Sequence, residues 1–193
     1  NMPFSETQNV DHPVSLYAAT KKSNELMAHS YSHLFGIPAT GLRFFTVYGP
    51  YGRPDMAYFS FTKSILENKP IKIFNNGNLK RDFTYIDDVI IAIEKVIEIL
   101  PKPNSNKFSN ASAPFRILNV GNEKPEPLEK FVSLIEKELD IKAIKINTPM
   151  QQGDVLITAS NSENLFNITN FRPRVKIEEG LKNFVRWYKD YYK

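Results

Sequence analysis

The sequence predicts an α/β fold, and three observations carry that expectation. Short apolar runs of strand type alternate with longer stretches at helical spacing, clusters of Gly, Pro and Asn fall between them, and no internal repeat interrupts the alternation. At 193 residues, with 41% hydrophobic and 12% aromatic content, the chain is long enough to bury a core and short enough to be one domain.

The first element is a helix over residues 15–35, where Leu16, Ala19, Leu26, Met27, Tyr31 and Leu34 recur near helical spacing and Gly36-Ile37-Pro38 stops the run. Residues 39–47 follow as a buried strand built on Leu42, Phe44, Phe45 and Val47, ended by a loop containing Pro50, Gly52 and Pro54. Residues 57–67 read as a helix, 71–74 as a strand turning at Asn75-Asn76-Gly77, and 82–86 as a further extended piece. Asp87 and Asp88 suit a helix N-terminus, where carboxylates cap free N–H groups, and that helix should reach about Leu100. Residues 101–114 are rich in turn formers without apolar period, so they read as an exposed loop. A strand at 117–120, a helix at 127–139, a strand near 141–146 and a closing helix at 177–191 complete the expectation.

Composition excludes several functions. The 25 basic and 21 acidic residues leave a net charge of +4 spread along the chain, with no clustered basic face for a nucleic acid. Cysteine is absent, which removes disulfide and thiolate chemistry and suits a reducing, cytoplasmic setting. No run approaches the ~20 apolar residues needed to span a bilayer, and residues 1–6 lack a signal pattern, so no membrane association is expected. The sites at Asn110 and Asn167 would be glycosylated only in a secretory protein. His29 and His33, four apart on a helix, have Ser30 where a metalloprotease would carry Glu, so they read as surface histidines and no metal is expected.

The chemistry centres on Tyr17-Ala18-Ala19-Thr20-Lys21. A Tyr and a Lys four apart on a helix project from one face. A phenol, with an ordinary pKa of about 10, is a poor base at neutral pH, and an adjacent ammonium favours its phenolate. Such a pair can take or return a hydroxyl proton during hydride transfer. Taken alone, the spacing more often describes an amphipathic helix with a surface lysine.

The surrounding residues raise it above that. Pro13-Val14-Ser15-Leu16-Tyr17-Ala18-Ala19-Thr20-Lys21-Lys22-Ser23-Asn24-Glu25, then Gly41-Leu42-Arg43-Phe44-Phe45-Thr46-Val47-Tyr48-Gly49-Pro50, then Arg81-Asp82-Phe83-Thr84-Tyr85-Ile86-Asp87-Asp88-Val89 resemble, in order and spacing, the extended short-chain dehydrogenase/reductases of the NAD-dependent epimerase/dehydratase family, above all its UDP-glucuronate 4-epimerases. The resemblance covers nearly the whole chain and begins partway through the family pattern.

It implies the C-terminal part of a Rossmann-type doubly wound sheet plus a smaller α/β substrate-binding domain. Residues 1–50 would belong to the dinucleotide-binding domain and 51–193 mainly to the nucleotide-sugar region, with 81–100 returning to the Rossmann part. It also implies NAD as cofactor and a UDP-sugar as substrate, with Tyr17 the acid/base and Lys21 on the nicotinamide ribose. Phe44, Phe45 and Val47 would line the nicotinamide pocket. Thr46 stands where UDP-galactose epimerases usually carry Asn, and the shorter hydroxyl leaves room for a sugar with a C6 carboxylate. Arg53 matches the Arg facing that carboxylate, a pairing that suits guanidinium's planar fork. Lys72 and Phe74 correspond to the segment along the uracil, Arg81 to an Arg on the diphosphate, and Asp154 to the carboxylate on the uridine ribose. Gln151 departs from the pattern, since galactose epimerases place a second diphosphate Arg there.

The Gly-rich turn that brings a backbone and helix N-terminus to a pyrophosphate is not found in the sequence, and the family's catalytic Ser/Thr would lie upstream of Asn1. The expectation is a chain inactive alone, self-associating or joining a separate N-terminal half, with a homodimer as the intact enzyme. Another UDP-hexose epimerase, a nucleotide-sugar dehydratase and a non-catalytic remnant or binding module are the alternatives. A dehydratase would need an Asp-Glu pair beside the upstream Ser/Thr.

Overall fold

Ser15 starts the first helix by local chemistry: its backbone is extended and its hydroxyl accepts from the N–H of Ala18 at 3.1 Å. Gly36 ends it at φ +63°, where a residue without Cβ carries no penalty. Between them lies α1 (Leu16–Phe35). The computed structural model describes residues 2–103, 112–151 and 153–192; the expected loop at 101–114 and the site at Asn110 fall largely outside them.

The apolar run after Gly36 forms two strands where one was expected. β1 (Ala39–Phe44) pairs in parallel with β5 (Phe115–Val120), the N–H of Phe45 donates to the Val120 carbonyl at 3.1 Å, and the chain then changes partner. β2 (Thr46–Tyr48) runs parallel to β4 (Lys80–Tyr85), whose other edge takes β6 (Pro125–Pro127) antiparallel. β3 (Ile71–Phe74) pairs in parallel with β7 (Lys145–Thr148). The predominance of parallel pairing, with helices between strands, is the α/β architecture the sequence predicts.

The remaining helices are α2 (Ala57–Leu66), α3 (Ile86–Ile97), α4 (Leu128–Leu139), α5 (Glu163–Thr169) and α6 (Ile177–Tyr191). α2, α4 and α6 bury an aromatic core with β2 and β4, in which Phe83 and Phe131 stack at 4.4 Å and Tyr58 meets Phe184 edge-on at 4.9 Å. A second, smaller core joins α3, α5 and β5.

Two further local expectations are corrected, and two elements are added. Asp87 and Asp88 sit in the first turn of α3 without capping it; Tyr85 holds the cap position. Asp88 instead reaches across the fold and accepts from the N–H groups of Arg174 and Val175 at 2.9 and 2.8 Å. The strand near 141–146 starts later, at Lys145, because the N–H of Ile141 bonds back to the Glu136 carbonyl and that of Ala143 to the Glu136 carboxylate. β6 and α5 were not anticipated. Two prolines, which cannot donate to a ladder, disguise β6, and it occupies an edge where that is tolerated; α5 is only 7 residues long and rich in Asn and Thr, though Leu165 is fully buried.

Candidate functional site

Which way α1 faces is decided by polar groups. Glu25 takes both Nε and Nη2 of Arg43 on β1, at 2.6 and 2.8 Å, and these bonds raise the Arg43 guanidinium above its ordinary value. His29 lies edge-on against Phe115 at 5.3 Å, and Ser32 is buried. Residues 25, 29 and 32 thus form the inner stripe of the helix, and the apolar residues at 16, 27 and 34 point to solvent.

The same rotation leaves Tyr17 and Lys21 on an open flank. Lys21 Nζ stands 5.3 Å from the centre of the Tyr17 ring, and Tyr17 is 72% exposed. A phenol and an ammonium therefore share one accessible face, in contrast to Tyr48, whose phenol is buried and pushed up by that burial. Along the neighbouring strands, Phe44 is exposed, while Phe45 and Thr46 are half-buried and Phe45 meets Phe4 at 6.5 Å. Val47 packs against the second core.

The other candidates fall into two places. Arg81 Nη2 and Asp154 Oδ1 meet at 2.7 Å, and Arg81 also donates to the Leu156 carbonyl at 3.3 Å. Lys72 is exposed and Phe74 half-buried on β3, whose partner β7 leads into the segment carrying Asp154. Arg53 stands apart from these, exposed in the loop before α2, with its guanidinium 3.2 Å from Asp55. His29 and His33 gather no further ligands, and among the described residues no group of three or more metal-binding side chains occurs.

A family model described as the NAD dependent epimerase/dehydratase family matches residues 1–111, more than half of the chain. The chain belongs to this family. Protein CapI of Staphylococcus aureus is 50% identical over 99% of the chain, and a probable UDP-glucuronate 4-epimerase of Rhizobium meliloti is 45% identical over all of it. The chain spans 59% and 58% of the length of these two relatives. Among solved structures, the UDP-glucuronic acid 4-epimerase of Bacillus cereus, crystallised with UDP-glucuronic acid and NAD, superimposes with a TM-score of 0.86 at 31% identity over 100% of this chain and 58% of its own. The Rossmann-like α/β fold is thereby shared with epimerases of known structure.

Within this epimerase/dehydratase-family fold, two arrangements escaped the sequence reading. One is the Glu25–Arg43 pair, signalled only by an Arg placed inside an otherwise apolar strand. The other is Asp82, fully buried beside Arg81. Its Oδ1 accepts from the N–H of Asn122 at 2.9 Å, and its Oδ2 accepts from the N–H groups of Glu123 and Ser160 and from the Ser160 hydroxyl at 3.1, 2.8 and 2.6 Å. Gly121 allows this approach, since a Cβ there would lie 2.2 Å from Ser160 Oγ. Among the described residues no helix is long and apolar enough to cross a membrane.

Proposed function

We propose that this chain carries the acid/base and substrate-binding part of an NAD-dependent UDP-sugar 4-epimerase that interconverts UDP-glucuronate and UDP-galacturonate. The observation that carries the reading is the exposed Tyr17–Lys21 pair on α1. These residues fit a nicotinamide riboside, since an accessible ammonium can donate to a ribose diol and Phe44 exposes an apolar ring on β1, the strand against which α1 packs. When bound, NAD supplies the hydride acceptor and donor for C4.

The chain's own residues supply binding and proton transfer. Tyr17 Oη takes the O4 proton and later returns it, and Lys21 favours the phenolate while holding the ribose. Phe44, Phe45 and Val47 flank the nicotinamide. Thr46 leaves room for the C6 carboxylate, and Arg53 pairs with it. Arg81 neutralises the diphosphate, Asp154 accepts from the uridine ribose hydroxyls, and Lys72 and Phe74 border the uracil. Arg81 and Asp154 hold each other at 2.7 Å, so a nucleotide that engages both competes with that pair. A polypeptide bearing the Gly-rich turn completes the cofactor site, with residues 1–50 and 81–100 on the dinucleotide side and the rest of 51–193 on the nucleotide-sugar side.

The test pairs binding with turnover. Titration calorimetry of the chain with UDP should give saturable binding, and the protein completed by a Gly-rich dinucleotide-binding half should convert UDP-glucuronate to UDP-galacturonate. Tyr17→Phe should lower that turnover by roughly 100-fold or more while leaving UDP affinity in place. Near-normal turnover in Tyr17→Phe would remove the assignment of the base.

A further inference from the structure

The loop between β2 and α2 contains a strained residue that the chemistry above does not use. Tyr51 adopts φ +60°, in the left-handed region that a bulky side chain disfavours. The other non-glycine residues at positive φ among the described residues are Asn, Asp or Glu. Such conformations persist where the surroundings hold them, and they gather at ligand clamps.

What holds Tyr51 is the end of α6. Its ring centre lies 5.0 Å from that of Trp187 and 6.2 Å from that of Tyr191, and the latter two stack on each other at 5.3 Å. The next residue, Gly52, presses on α2 so closely that a Cβ would lie 1.8 Å from Tyr58 Oη. The backbone entering Arg53 is therefore held by α6 on one side and α2 on the other. The Arg53 side chain has an exposed pair with Asp55 two residues on, a kind of contact that orients little. An Arg that must present its fork to a carboxylate then depends on where its backbone is fixed.

We infer that Tyr51 is a positioning residue: its stack on Trp187 and Tyr191 sets the direction from which Arg53 meets the ligand carboxylate, so the aromatic end of α6 tunes the preference for an acidic over a neutral UDP-sugar. The inference rests on the reading of Arg53 as the partner of that carboxylate. Tyr51 is 79% exposed, so truncating it opens no cavity in the core.

The experiment measures calorimetric affinities of the full chain for UDP, UDP-glucuronate and UDP-glucose in the parent, Tyr51→Ala, Tyr51→Phe and Arg53→Ala. Tyr51→Ala should lower the UDP-glucuronate to UDP-glucose affinity ratio about 2- to 10-fold, the worth of one aromatic pair, with UDP affinity unchanged. Tyr51→Phe should keep the parent ratio, and Arg53→Ala should abolish the preference. A general loss of folded protein cannot move this ratio, because both ligands would share it. Trp187 is the one tryptophan in the sequence, so its emission reports on the stack and should respond more to UDP-glucuronate than to UDP-glucose. If Arg53→Ala abolishes the preference while Tyr51→Ala retains it, the inference is overturned and the reading of Arg53 stands. If Arg53→Ala leaves the ratio unchanged, or the parent shows no preference, both are overturned.

Discussion

Arg81 and Asp154 are joined at 2.7 Å across 73 residues of sequence, and the pair fastens the 154–156 segment to β4 through the added bond from Arg81 to the Leu156 carbonyl. Both side chains are largely sheltered, at 17% and 32% exposure. A nucleotide diphosphate would compete for Arg81, and its ribose diol for Asp154. Arg81→Ala should therefore weaken UDP binding roughly tenfold or more, the worth of a charge-assisted hydrogen bond. Asp154→Asn should cost less, because it removes a diol acceptor but also frees Arg81 for the diphosphate. Calorimetry on both variants checks the order, and equal losses would contradict the competition.

Asp82 anchors the same region from beneath. Its carboxylate accepts four hydrogen bonds from the 122–123 turn and Ser160, and its own N–H donates to Thr158 Oγ1 at 3.1 Å. Asp82→Ala would leave those donors buried without an acceptor, at a cost of about 3 kcal/mol or more. Ser160→Ala removes one partner and should cost about 1 kcal/mol. Urea denaturation gives both numbers. An Asp82→Ala chain within a few tenths of the parent would show that water replaces the carboxylate.

How much of this could be read beforehand depends on the range of the interaction. The 16–35 helix, the 71–74 strand and the 177–191 helix follow from local signals such as Ser15, Gly36 and apolar period, and they appear where expected. The Tyr17–Lys21 contact is also local, being one helical turn. The partner change at Phe45 is not local, since it depends on β5 and β4 presenting two different edges to one run of apolar residues. Asp88 looked like a cap because its sequence neighbours permit one; its real partners lie 86 and 87 residues away. The Arg81–Asp154 contact likewise needed the chain to be folded before two separately recognised residues became a pair.

Glu136 links stability to pH. It is buried in α4, and burial alone would raise its carboxyl, but the Ala143 N–H at 3.0 Å and the ammonium groups of Lys145 and Lys142 at 3.2 and 3.3 Å outweigh that and hold it below its ordinary value. A carboxyl that is more acidic folded than unfolded stabilises the fold above the unfolded value, about 4.3, and loses that contribution as pH falls through the folded one. Melting curves across the acid range should therefore show the parent most superior to Glu136→Gln above about pH 5, with the gap closing as the pH drops. Parallel pH profiles for the two proteins would assign the stability of this corner to other groups.

The outward stripe of α1 predicts association. Leu16, Met27 and Leu34 are 82%, 56% and 70% exposed and repeat at nearly whole helical turns, with Tyr31 alongside at 63%. Large apolar side chains exposed along one face of a helix favour contact with another protein surface, and a second copy of the chain offers the same stripe. Sedimentation velocity should show the chain self-associating as concentration rises. Met27→Glu with Leu34→Glu should shift it to monomer while changing the stability of the monomer by no more than about 0.5 kcal/mol, because neither side chain is buried within the chain. If the double variant associates as strongly as the parent, the contact lies elsewhere, with the exposed Ile90, Ile91 and Ile97 of α3 as the next surface to alter.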